Sequence, residues 1–127
     1  MQTYHPSKAP DPAAWLSIDE SKRISLVKES HVAAQIEFEE DGAESIHAVI
    51  HVIVENQIAM NVDSVTGTIA KLTRQGLSRH ESIHAIGAVL SEDIFNLLKG
   101  NTHEFNIKKY RKRLQKLTAK RWNKGQW

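Results

Sequence analysis

Cysteine is absent from the chain, which excludes disulfides and thiolate metal sites and fits a reducing compartment. Any metal must therefore be held by nitrogen and oxygen. No stretch approaches the roughly eighteen consecutive apolar residues of a membrane span, and residues 1–12 lack the basic start and apolar run of a signal peptide. The expectation is a cytoplasmic protein with no membrane span. Acidic residues are nearly missing from one end: residues 101–127 hold 1 Asp/Glu against 9 Lys/Arg, whereas residues 1–100 hold 14 against 8. The formal net charge of +2 thus conceals an acidic body and a basic tail. That split suits a tail that docks on its own body, or one that meets nucleic acid or another anionic partner.

With 127 residues and 40% hydrophobic content, the chain is long enough for one core. The expected organisation is a single helical domain with a flexible N-terminus over 1–12 and a basic C-terminal helix over 103–124. Asp11 followed by Pro12 has the cap and first-turn grammar of a helix start, and the stretch from Asp19 to His31 carries Ile24, Val27 and His31 at helical spacing. One or two helices are expected there. The acidic run from Glu37 to Gly42 reads as a loop ending near Asp41, the expected cap of the next helix. From Ala43 to Met60 the chain is rich in Val and Ile, so a strand competes. Eighteen residues without a turn signal exceed ordinary strand length and favour a helix. Asp63 is the expected cap of a third helix that Gly76 ends, Ser78 opens a fourth, and a last helix starts near Glu104. The fold class predicted is all-α, a compact bundle of about five helices.

What is present in excess is histidine in two patterns. His47, His51 and Glu55 recur at i, i+4 and i+8, one stripe of a helix, and His80 to His84 spell H-E-x-x-H. Four of the seven histidines fall in these two segments. Glu44 to Ala48 also repeats letter for letter as Glu81 to Ala85, each copy three residues after a capping residue, Asp41 and Ser78. If the second and fourth helices run parallel, His47 and His84 come to similar heights. His47, His51, Glu55, His80 and His84 are accordingly the candidate metal ligands, with zinc preferred and iron the alternative.

Several chemistries compete for these residues. In a zincin the H-E-x-x-H glutamate, here Glu81, activates a zinc-bound water. The run resembles the longer metzincin motif, but Leu90 stands where the third ligand belongs and no methionine follows. Carboxylate-bridged di-iron bundles use E-x-x-H pairs, present as Glu44/His47 and Glu81/His84, together with two further glutamates that are not evident here. The helix start near Arg79 also suits an anion. The plainest alternative is a non-enzymatic interaction protein: a buried histidine network with Glu55 and Gln57 that fixes helix packing, plus a basic tail that binds nucleic acid or another protein. His5, His31 and His103 read as solvated or minor capping residues.

The combination of H-x3-H-x3-E, Gln57 and R-H-E-x-x-H resembles a bacterial family of small helical proteins, a domain of unknown function. The resemblance runs from about Trp15 to Leu98. It implies a helical fold with these His and Glu positions as its signature, and no particular activity.

Overall fold

The computed structural model describes residues 3–34, 43–100 and 104–127. Among the described residues there are seven helices: α1 Pro12–Ser17, α2 Glu20–Ala33, α3 Ala43–Ala59, α4 Asp63–Arg74, α5 Arg79–Leu98, α6 Ile107–Lys116 and α7 Ala119–Asn123. No strand occurs among the described residues. The protein is all-α, and the described residues hold somewhat more helices than the about five expected. Asp41 and His103 lie outside the described residues. Contacts divide the chain into two compact units, Met1–Val62 and Asp63–Trp127.

In the first unit α1 and α2 both pack on α3. Asp11 caps α1 by accepting from the Ala14 amide at 3.0 Å, with Pro12 at the first helical position. The helix stops after six residues because Ile18 turns extended and Asp19 begins α2. Arg23 holds this corner. Its guanidinium donates to the carbonyls of Ile18 and Leu16, at 2.9 and 3.0 Å, and to Asn56 Oδ1 on α3 at 3.0 Å. Asn56 Oδ1 also accepts from Trp15 Nε1 at 2.9 Å, so the one polar atom of a fully buried Trp15 is satisfied. Around these bonds lies a core of Tyr4, Trp15, Leu26, Val27, Ala48 and Val52. Burial of each large apolar side chain in such a core contributes about 1.5–3 kcal/mol.

The Val- and Ile-rich stretch is helical, as length predicted. Asn61 ends α3 in the left-handed region at φ 56°. The Val62 amide returns to the Gln57 carbonyl and the Asn61 amide to Ile58, the paired bonds of a Schellman motif. Asparagine is the residue besides glycine that takes this conformation most readily.

In the second unit α4, α5 and α6 pack against one another. Asp63, expected as a cap, is instead the first residue of α4, where its charge still suits the helix dipole. Gly76, at φ 102°, closes α4 with the same paired bonds, Leu77 to Leu72 and Gly76 to Thr73. Ser78 caps α5 as read, its hydroxyl accepting from the Glu81 amide at 3.0 Å. The core is built from Val65 and Leu72 of α4, Ile83, Ile86, Val89 and Leu90 of α5, and Tyr110, Leu114 and Leu117.

The expected single C-terminal helix is two. Leu117 is extended, and Thr118 starts α7 by accepting from the Arg121 amide, while Gln75 Oε1 takes the Ala119 amide at 2.8 Å. Lys71 Nζ, donating to the carbonyls of Leu114 and Gln115 at 3.1 Å each, satisfies the last turn of α6. Burial of Lys71 lowers its pKa below the ordinary 10.5.

Candidate metal site

Three of the seven histidines converge inside the first unit. The i, i+4 spacing places His47 and His51 on one stripe of α3, and His31 reaches them from the last turn of α2. Ring centroids lie 4.7 Å apart for His31 and His47, 5.5 Å for His31 and His51, and 6.3 Å for His47 and His51. A ring nitrogen from each lies within 4.8 Å of the others. His31 is 1% exposed and His51 2%, with His47 half-buried.

His31 thus corrects the sequence reading, which made it a solvated or minor capping residue. A signal for it existed: His31 continues the Ile24, Val27 face of α2, and that face is the one turned to the core. A lone histidine has no partner at a telling spacing within its own helix, so its company on α3 was not legible.

Glu55, one turn beyond His51, is 0% exposed. Its carboxylate accepts a hydrogen bond from the Tyr4 hydroxyl, which also lies 2.8 Å from His51 Nε2. Tyr4 itself is 3% exposed and packs its ring on Trp15 and His51. This geometry assigns the tautomer. The phenol has one proton and gives it to Glu55, so in the contact with His51 the imidazole must donate through Nε2–H. His51 Nδ1 is then the nitrogen with a lone pair to offer. No periodic pattern in the sequence points to Tyr4, which lies in a segment read as a flexible lead-in and enters the core.

The H-E-x-x-H segment belongs to the second unit. His80 and His84 stack edge to face with centroids 4.2 Å apart. Glu81 is held on both sides of its carboxylate: Oε1 accepts from Trp122 Nε1 at 2.7 Å, and Oε2 lies 4.0 Å from His84 Nδ1. Its amide is the one that Ser78 caps. Glu81 thus lies in the first turn of α5 and also receives the indole of α7, a partner that only the return of the C-terminus supplies. Glu44, of the other E-x-x-H pair, sits in the first turn of α3.

The chain matches no known family model, no curated protein and no solved structure. Function must be read from the residues and their placement.

Proposed function

We propose that this protein binds a divalent transition metal through His31, His47 and His51, with zinc the first choice and iron the alternative. The observation that carries the reading is the convergence of three imidazole nitrogens within 4.8 Å of one another in a largely buried place. Neutral imidazole is the preferred ligand of such metals, and three histidines side by side can each offer one ring nitrogen to the same ion. Zinc–nitrogen bonds of about 2.0–2.1 Å in tetrahedral geometry need ligand nitrogens about 3.4 Å apart. Rotation about the side-chain torsions of the histidines supplies the remaining contraction.

Glu55 fits the second layer of such a site better than the first. Its carboxylate is engaged by Tyr4, and the chain Glu55, Tyr4, His51 orients the ring and keeps the proton on Nε2, as outer partners of metal-bound histidines commonly do. His80, Glu81 and His84 remain candidates for metal chemistry by their motif, with Glu81 the acid–base group if the segment works as a zincin does.

A second reading takes the histidines as packing elements alone. The hydrogen bonds that join Tyr4, Glu55 and His51 favour it, because they need no metal. Elemental analysis of untagged, dialysed protein separates the two. The expected result is stoichiometric zinc or iron, lost in His31→Ala and in His47→Ala, with a thermal midpoint that chelator lowers in the wild type and not in the variants. Absence of metal together with a chelator-insensitive midpoint would overturn the metal reading. His84→Ala, run in parallel, tests the H-E-x-x-H segment.

A further inference from the structure

The charge asymmetry of the sequence coincides with the division into units. Residues of the second unit, Asp63–Trp127, include 13 Lys/Arg against 5 Asp/Glu, and those of the first include 4 against 10. Within the second unit the charge is concentrated on α6. On this helix Tyr110 and Leu114 are fully buried, Ile107 at its start is 43% exposed, and Arg113 is half-buried and paired with Glu92 and Asp93 of α5. Lys108, Lys109, Arg111, Lys112 and Lys116 are all exposed. At 100° per residue these five span the side of the helix opposite the buried pair, and from residue 108 to 116 at 1.5 Å rise they cover about 12 Å. Among the described residues none of the five forms an ion pair.

Docking on the protein's own acidic groups therefore uses one cation, Arg113, and the apolar face. It leaves a ridge of five like charges, which repel one another and gain nothing from standing together in the free protein. We infer that the exposed face of α6 binds the sugar-phosphate backbone of double-stranded nucleic acid, by charge and without reading base sequence. Duplex DNA offers one negative charge per about 3.4 Å along each strand, close to the roughly 3 Å spacing of the cations along this ridge, and binding gains from release of condensed counterions.

Two features of the same helix select this partner. A basic helix that lies on a membrane needs a broad apolar face to sink among the acyl chains, and in α6 Tyr110 and Leu114 are buried within the unit, which leaves Ile107 as the one exposed apolar side chain of the helix. Single-stranded nucleic acid is held by aromatic rings on which bases stack. The ridge itself carries none, because Tyr110, the one aromatic of α6, is buried; Trp127, 39% exposed, lies beyond the helix and packs on Trp122 with centroids 5.1 Å apart.

The test is a titration of a fluorescein-labelled, mixed-sequence 20-base-pair duplex with the full chain, read by anisotropy at several salt concentrations between about 50 and 200 mM. Non-specific binding should fall in the micromolar to 100 µM range near physiological salt, and log K should decline against log salt with a slope of about −4 to −5 for five phosphate contacts. The triple variant Lys108→Gln, Lys112→Gln, Lys116→Gln should retain the wild-type thermal midpoint, bind at least about tenfold more weakly, and show a slope shallower by about 3. Two unrelated duplex sequences should bind alike. Equal binding by the triple variant, a flat salt dependence, or tighter binding to the same-length single strand or to vesicles of anionic phospholipid would each overturn the proposal.

Discussion

Tyr4 and Glu55 stand 51 positions apart in the sequence and are joined hydroxyl to carboxylate in the core of the first unit. A carboxylate with no exposed surface is costly unless donors face it. Tyr4 provides one such donor, and through the same oxygen it meets the Nε2–H of His51.

Replacement of Tyr4 by Phe keeps the ring packing on Trp15 and removes the hydroxyl alone. Both Glu55 and His51 lose a partner inside the core, and the expected destabilisation is about 1–3 kcal/mol, measured as a lower urea midpoint with unchanged slope. Adding Glu55→Leu to Tyr4→Phe should recover part of that loss, since removal of both partners costs less than orphaning one. If Tyr4→Phe unfolds at the wild-type midpoint, the bond contributes nothing and the tautomer argument for His51 falls with it.

Metal affinity should weaken as pH falls. Protons compete with metal for the same ring nitrogens, and free imidazole takes up its proton near pH 6.5. The bound form is the deprotonated one, so affinity should be near its plateau at pH 8 and drop progressively from about pH 7 to 5. Calorimetric titration with zinc in two buffers of different ionisation enthalpy, repeated at pH 6, should show proton release rising toward the lower pH. A binding curve indifferent to pH across this range would argue against imidazole ligands.

Lys71 tests how the second unit closes the end of α6. Lys71→Met retains most of the aliphatic stem and deletes the donors to the Leu114 and Gln115 carbonyls. A loss of about 1.5–3 kcal/mol is expected, the range for hydrogen bonds made by a charged group. The pH dependence has a definite sign. Burial lowers the folded pKa below 10.5, so between the lowered value and 10.5 the unfolded chain holds the proton that the folded one has released, and wild-type stability gains with rising pH in that alkaline window. The gap between wild type and Lys71→Met should widen from pH 8 to 10.5 in chemical denaturation. A gap that narrows would show that burial does not lower this pKa.

Local signals carried much of the fold. Asp11 with Pro12, Ser78 and Gly76 mark helix ends through atoms within a few residues of themselves, so their meaning survives reading in isolation. Length alone settled that Ala43–Ala59 is helical despite its β-branched content. The break between α1 and α2, which the sequence left open, and the break between α6 and α7, which it did not foresee, both have distant partners. Arg23 holds the corner at Ile18 through Asn56, and Gln75 receives the Ala119 amide where α6 gives way to α7. Neither partner lies within the segment it divides.

The same division runs through the candidate site. The sequence alone determined that His47, His51 and Glu55 share one face of α3, because an i, i+4 repeat on a 3.6-residue helix leaves no other arrangement. It also determined that α6 would carry an apolar and a basic side. Only the tertiary structure brought His31 from α2 to the α3 histidines and carried Tyr4 to Glu55, and only it gave the Glu81 carboxylate the indole of Trp122. Spacing along one helix decides which side chains face the same way. What that face meets depends on segments remote in the chain, whose approach is set by packing that non-directional apolar contacts drive and that no short pattern of residues records.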